Sequence, residues 1–440
     1  MSSARPGRNL VGLLRAEVAR NRAVLLNAGS VMSTTLVTAG LGAAFWLVAA
    51  RQFSPDAVGV ASAAVAAITL MGYLAMVGLG TLLMGELPRR EGHRRGLINA
   101  ALLVSGAIGF ALGLGFALGA PLVSSDLTAL DENLLAVGIF AVGVGLTAAM
   151  AVLDQSLIGL LRGGLQLTRN IVFSAVKLVI LVVFGIVLTN PNGVWIYAAW
   201  IAGIAISLLV LARFYAKRGE EDLRPRLRML VAMRRDAASH HIFNLSIRAP
   251  DLILPLIVVS LLSAEANANF YIAWMVGSFG FMVPVSLSSV LFAVGSGDPE
   301  RLSDRYRLSV GISLALGLVA VAVVMVAGGP ILSLFGPTYE EHALTTLEIL
   351  TLGVFPETVK AHFLSITRVE RRIAQTMPLV IGGTVLEICG AVAGALIAGL
   401  SGVAAGWLIA VCIEAVVMSR TVLRFLRLLA PRRLSLDPAR

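Results

Sequence analysis

The sequence predicts an all-α integral membrane protein of about twelve transmembrane helices, arranged as two lobes of six. Three observations carry that expectation. Of the 440 residues, 58% are hydrophobic and only 14% charged, with a mean hydropathy of +0.88. A soluble globular chain carries about a quarter charged residues, and one of this length would split into domains with polar surfaces. The apolar residues fall into runs of about 20, the length an α-helix needs to cross about 30 Å of hydrocarbon. Finally, when the runs are counted off in order, the basic residues fall in alternate connecting segments and so on one side.

Twelve runs satisfy the length condition, at roughly 25–49, 57–84, 97–120, 134–153, 170–189, 194–212, 239–262, 270–293, 307–327, 343–366, 376–398 and 402–421. With the N-terminus in the cytoplasm, the inside segments are 1–24, 85–96, 154–169, 213–238, 294–307, 367–375 and 420–440. They hold 31 of the 35 Lys and Arg. Arg51 is the one basic residue in an outside loop; Lys177, Arg248 and Lys360 lie within spans. The outside loops carry Asp56, Asp126, Asp131, Glu132, Glu265, Glu340 and Glu341 instead. This charge split assigns both termini to the cytoplasm and the chain to the cytoplasmic (inner) membrane. Trp46, Trp195, Trp200 and Trp274 fall near the outer ends, where an aromatic belt belongs. The run before Arg51 is too long for a signal-peptide core and is read as the first span.

The segment 213–238 is the longest polar interval and divides the spans six and six. The organisation read from it is a basic N-terminus (1–24), an N-lobe (25–212), a basic linker (213–238), a C-lobe (239–421) and a tail (422–440). The first span of each lobe opens on an asparagine, Asn27 and Asn244, and each reaches a short outer loop. Two six-span halves entering from the same side make a parallel repeat. Residues 226–236 of the linker read as an amphipathic helix on anionic lipid.

Several function classes are excluded. The net charge of +10 lacks the aromatic-interleaved basic domain of a nucleic-acid binder. There is no GxxxxGK[ST] phosphate loop and no HExxH; the five His are scattered. Cys389 and Cys412 fall inside apolar spans and give neither a disulfide framework nor metal spacing. Neither a cofactor nor a metal is expected, and the chain is not read as an enzyme. Gly109/Gly113, Gly115/Gly119, Gly390/Gly394 and Gly402/Gly406 are small-xxx-small pairs for close helix packing.

Ionisable residues inside spans cost at least a few kcal/mol each and rarely face lipid. Here they are Lys177, Arg248, Asp251, Glu348, Glu357, Lys360, Glu387 and Glu414. In span seven, His240, Asn244, Arg248 and Asp251 share an arc of about 80° at helical periodicity. Asn27, Ser30, Thr34 and Thr38 do the same in span one, and Ser62, Thr69, Tyr73 and Gly80 share a face of span two. A polar stripe on the first helix of each lobe suggests two bundles facing each other across a wet cavity. Arg248 then either binds an anion, oriented by Asp251, or simply pairs with Asp251 one turn away. In span ten, Glu357 and Lys360 meet on one face while Pro356 kinks or breaks the helix. Glu387 and Glu414, near mid-span in helices eleven and twelve, are either neutral and bonded to neighbours or hold a proton or cation for coupling. Lys177 sits near the inner end of span five, where its ammonium snorkels to the interface.

At the first outer turn the chain reads Phe45-Trp46-Leu47-Val48-Ala49-Ala50-Arg51-Gln52-Phe53-Ser54-Pro55-Asp56-Ala57-Val58-Gly59, and in the second half Leu254-Pro255-Leu256-Ile257-Val258 and Asn269-Phe270-Tyr271-Ile272-Ala273-Trp274. With the twelve-span plan, these stretches resemble the polysaccharide and lipid-linked oligosaccharide exporters of the multidrug/oligosaccharidyl-lipid/polysaccharide (MOP) superfamily, relatives of the MATE antiporters. The resemblance implies a V-shaped pair of six-helix lobes working by alternating access. It implies a cationic cavity for a diphosphate-sugar head group, with the isoprenoid tail left in lipid. Arg248 and Arg51 are the cavity cations it suggests.

The expectation is therefore a flippase for a polyprenyl-linked glycan. Arg248, with Arg51 as a second candidate, holds the anionic head group; Asn27, Thr34, Thr38, His240 and Asn244 hydrogen-bond sugars; Glu357, Glu387 or Glu414 binds a coupling ion. Two rivals stand beside it. One is a MATE-like drug/cation antiporter whose pocket is defined by carboxylates. The other is a non-transporting scaffold that docks glycan-synthesis enzymes through 213–238.

Overall fold

The computed structural model describes residues 22–189, 191–216, 224–232, 237–295, 299–370 and 372–428. Among them every regular element is a helix. The N-lobe comprises α1 (Arg22–Gln52), α2 (Pro55–Ala75), α3 (Leu79–Glu86), α4 (Arg94–Val123), α5 (Leu134–Gly159), α6 (Gly163–Val187) and α7 (Gly193–Ala216). A short linker helix, α8 (Leu227–Ala232), leads to the C-lobe: α9 (Ala237–Leu261), α10 (Ala264–Gly295), α11 (Pro299–Ser333), α12 (Pro337–Leu352), α13 (Val354–Val369) and α14 (Ile373–Leu428). Nine of the described helices are long and apolar enough to cross a membrane. Each of the twelve runs lies on one of the helices α1–α14 or on a broken pair of them, and the chain is a multi-pass membrane protein.

Two of the runs are interrupted and two others share one long helix, and each break has a local cause. Span two breaks between α2 and α3, where Val77 and Gly78 adopt positive φ of 45° and 77°. Gly80 therefore belongs to α3 and leaves the face it was expected to share with Ser62 and Tyr73. Span ten breaks at Gly353, not at Pro356. Pro356 falls in the first turn of α13, where a proline's missing N–H leaves no intrahelical bond unmade. Spans eleven and twelve are the two arms of α14, which reverse at Ala398 and at Gly399 with φ 59°. The arms pack glycine on glycine: a Cβ on Gly390 would lie 2.6 Å from the Gly406 oxygen. Gly394 and Gly402 meet in the same way. Gly109 and Gly113 likewise seat α4 on α5, whereas Gly115 and Gly119 face open space.

The lobes meet at the end that carries the turns around residues 53–54, 124–133, 262–263 and 334–336, here the turn end. Asn267 of α10 donates to the Gly59 carbonyl at 2.8 Å and to Ser62 Oγ at 2.9 Å in α2. A Cβ on Gly59 would run into the Ala264 carbonyl. Asp126 accepts from the Ala264 amide at 2.7 Å, and Ser124 donates to the Val259 carbonyl at 3.1 Å. Arg51 donates to the carbonyls of Leu334 and Ser333 at 2.6 and 3.0 Å. Trp46 packs on Tyr271 with ring centroids 4.6 Å apart.

Those contacts overturn the expected aromatic belt. Trp46 and Trp274 are buried, and Trp200 and Trp274 pack edge-on against Phe45 and Trp407. Of the four, Trp195 alone is exposed. A helix in which most positions are apolar cannot show from its sequence which aromatic faces the neighbouring helix. The described part of the linker helix, Leu227–Ala232, packs against the start of α4: the Arg226 amide donates to the Gly96 carbonyl at 3.0 Å, and Leu230 is buried. Residues 217–223 and 233–236 lie outside the described residues, as do 1–21 and 429–440.

Candidate functional site

The residues singled out in the C-lobe converge. Arg248 and Asp251 lie on α9, Glu357 and Lys360 on α13, and Glu387 and Glu414 on the two arms of α14. The Lys360 ammonium is the hub. It donates to Glu387, lies 3.2 Å from Glu414 and 3.6 Å from Glu357. The second oxygen of Glu387 accepts the Trp407 indole N–H at 2.8 Å. Lys360, Glu387 and Glu414 are all buried. The two glutamates thus share one cation instead of standing alone.

The backbone explains how. The reversal at Gly399 and the glycine contacts bring the arms of α14 close enough for carboxylates 27 residues apart to reach one ammonium. Two further glycines make the room. A Cβ on Gly383 would sit 2.5 Å from the carboxyl carbon of Glu414. One on Gly353 would sit 2.5 Å from the Trp407 ring. The break at Gly353 that ends α12 is also where the indole slots in.

Arg248 and Asp251 form a one-turn ion pair at 3.7 Å, with side chains 65% and 42% exposed. Arg248 lies near the middle of α9, the helix that packs against α2 of the other lobe. The pair therefore stands on the seam between the lobes, with both side chains partly open. Together these groups count two cations and four carboxylates, so negative charge exceeds positive unless protons or cations make up the difference. Among the described residues there is no group of His, Cys, Asp and Glu set to hold a metal ion.

The other expected site residues are more scattered. Asn244 accepts from Arg368 at 3.4 Å, two turns from Asp251. Thr38 is half-buried, and its hydroxyl has no partner among the described residues. The side chains of Asn27, Thr34 and His240 lie outside the described residues. Arg51 is at the turn end, committed to two backbone carbonyls.

Two charged features were missed or misplaced by sequence reasoning. Arg169 of α6 makes a two-point contact with Asp154 of α5, at 2.9 and 2.7 Å, and reaches Asn170 at 2.6 Å. Arg169 counts in the sequence only as a basic charge of the inner segment 154–169, but α5 and α6 extend past those boundaries and bury its guanidinium against Asp154. Lys177 does not snorkel. It lies fourteen residues after the start of α6 and ten before its end, deep in the N-lobe and 1% exposed.

The geometry thus defines a polytopic helical protein with a polar, charge-rich site between two lobes. Comparison with known proteins gives the fold its family resemblance. The MatE family model matches residues 251–393, which include Asp251, Glu357, Lys360 and Glu387. No curated protein matches the chain. Among solved structures, an inward-facing multidrug resistance MATE family transporter of the MOP superfamily superposes with a TM-score of 0.67 at 16% identity, covering 91% of this chain and 98% of that one. An outward-facing structure described in the same words gives 0.59 at 17% identity, covering 92% and 96%. A MOP superfamily transporter from Pyrococcus furiosus, described as having a binding pocket of reverse polarity, gives 0.62 at 15% identity, covering 93% and 96%. The fold is that of the two-lobed MATE transporters.

Proposed function

We propose that the chain is an alternating-access flippase of the cytoplasmic membrane, moving a lipid-linked oligosaccharide or polysaccharide precursor to the outer leaflet for cell-envelope synthesis. The observation that carries this reading is Arg248: a guanidinium at membrane depth, between the lobes, paired with one carboxylate yet largely open. A cation placed there costs several kcal/mol unless water or an anionic ligand faces it, and a guanidinium offers a planar fork to a diphosphate. Asp251 orients it, and Asn244, Thr38, Asn27, Thr34 and His240 supply hydrogen bonds to sugars. In this reading the turn end faces outward. The described state is closed there by Asn267, Asp126 and Arg51, so that the cleft admits cargo from the cytoplasm. Arg51 meets cargo only after that closure breaks.

Glu357, Glu387 and Glu414 are the coupling groups. A proton taken up by one of them weakens its hold on Lys360 and redistributes the others, and the coupling energy is the difference between the two states' affinities for that proton. The same cluster supports a second reading, a cation-coupled MATE-like antiporter in which the carboxylates receive a cationic drug. Neither reading assigns chemistry on the cargo. A dock for glycan-synthesis enzymes on the linker remains a third arrangement.

The test is translocation of a polyprenyl-diphosphate oligosaccharide in proteoliposomes, comparing the native protein with Arg248→Ala. Native activity with at least about tenfold loss in the variant supports the flippase, as expected when a charged hydrogen bond to cargo is removed. Native inactivity on every glycolipid, with drug efflux that depends on Glu387 and Glu414, favours the antiporter.

A further inference from the structure

Lys177 has no role in the site between the lobes, yet it is the most completely enclosed lysine among the described residues. Its ammonium lies 3.5 Å from the ring centroid of Trp200, 4.5 Å from that of Phe173 and 4.9 Å from that of Phe45. The three rings come from three helices, α7, α6 and α1. Phe45 and Phe173 both stand edge-on to Trp200, at 5.5 and 5.3 Å. Among the described residues, no carboxylate, carbonyl or hydroxyl pairs with this ammonium, and three ring faces lie within 5 Å of it. Gly203 of α7 makes the approach possible, since a Cβ there would lie 2.9 Å from the Lys177 Cβ.

A ring of aromatic faces around a cation is the arrangement that recognises alkylammonium ligands, because each face presents the negative part of its quadrupole. An ordinary structural lysine in a membrane helix would find a carboxylate or reach the interface. We propose that the N-lobe contains an alkylammonium-binding cage, built by Phe45, Phe173 and Trp200, which the protein occupies with its own Lys177. While Lys177 fills it, a free organic cation meets both an occupied cage and an uncompensated positive charge. Lys177 is therefore a specificity residue that bars cations from the N-lobe. This inference does not rest on the flippase reading.

Removing the lysine side chain beyond Cβ removes the atoms of n-propylammonium, which is the probe. Saturable quenching of tryptophan fluorescence and a rise in thermal midpoint are measured in detergent for the native chain, Lys177→Ala, Lys177→Met and the double variant Lys177→Ala/Trp200→Ala. The expected result is saturable binding to Lys177→Ala, roughly tenfold or more weaker in the other three. Should Lys177→Ala not survive solubilisation, propylammonium added at that step is expected to recover folded protein, and the uncharged control n-propanol, of matching size, is not. An equal response in all four proteins places the binding elsewhere and overturns the proposal. So does the absence of both binding and rescue in Lys177→Ala.

Discussion

Trp407 donates its indole N–H to Glu387 at 2.8 Å, so that one carboxylate oxygen is held by a neutral donor while the other faces Lys360. The bond fixes one of three glutamates around the ammonium. Replacing Trp407 by Phe keeps an aromatic ring beside Trp274 but leaves a buried carboxylate oxygen without its donor. The expected loss is about 1–3 kcal/mol of stability, read as a lower thermal midpoint in detergent. An unchanged midpoint would mean that the indole bond carries no weight in the cluster.

Gly383 and Gly382 are neighbours with opposite surroundings. An added methyl at Gly383 falls on the Glu414 carboxylate, whereas at Gly382 it meets open space. Gly383→Ala is expected to displace Glu414 and abolish ion-coupled transport. Gly382→Ala should leave transport near native and add a few tenths of a kcal/mol of helix stability, the sign expected of Gly→Ala in a helix. Equal transport by the two variants would remove Glu414 from the mechanism.

The Arg169–Asp154 pair gives a stability prediction distinct from transport. Arg169→Leu or Asp154→Leu alone strands a charge in the N-lobe and is expected to cost about 3–5 kcal/mol. The double leucine variant should recover a good part of that loss, because a buried pair replaced by packed apolar groups is often close to neutral. Additive losses would show that the two side chains act independently.

The closure at the turn end is held where backbones touch. Gly59→Val drives a side chain against the Ala264 carbonyl, and Asn267→Ala removes two hydrogen bonds between lobes. Both are expected to lengthen the distance between spin labels at Thr128 and Leu334, measured by pulsed electron resonance after Cys389 and Cys412 are replaced. An unchanged distance distribution would mean that other contacts set the closed state.

Much of this architecture was legible in the chain, because crossing a bilayer forces long apolar runs and sorts Lys and Arg by side. The Arg248–Asp251 and Glu357–Lys360 pairs were legible for a similar reason: residues three apart on a helix meet. What could not be read was which distant groups meet. Glu387 and Glu414 looked solitary because nothing in an apolar sequence reports that Lys360 enters from α13 between the arms of α14. The break at Gly353 was assigned to Pro356 because proline is the stronger local signal, although in the first turn of a helix it breaks nothing. The sequence puts Lys177 near an end because its apolar run begins at residue 170, while α6 begins at Gly163.

On the flippase reading, the Arg248 charge faces an open cleft between the lobes and meets an anion there. The most direct measurement is made on Arg248→Cys, with Cys389 and Cys412 replaced, in proteoliposomes assayed for glycolipid translocation before and after thiol modification. The expected result is an inactive cysteine variant that reacts from the cytoplasmic side. Activity should return when the added group is aminoethyl, which restores a positive charge, and not when it is sulfonatoethyl. Failure of the thiol to react, or equal recovery with the anionic reagent, would contradict it.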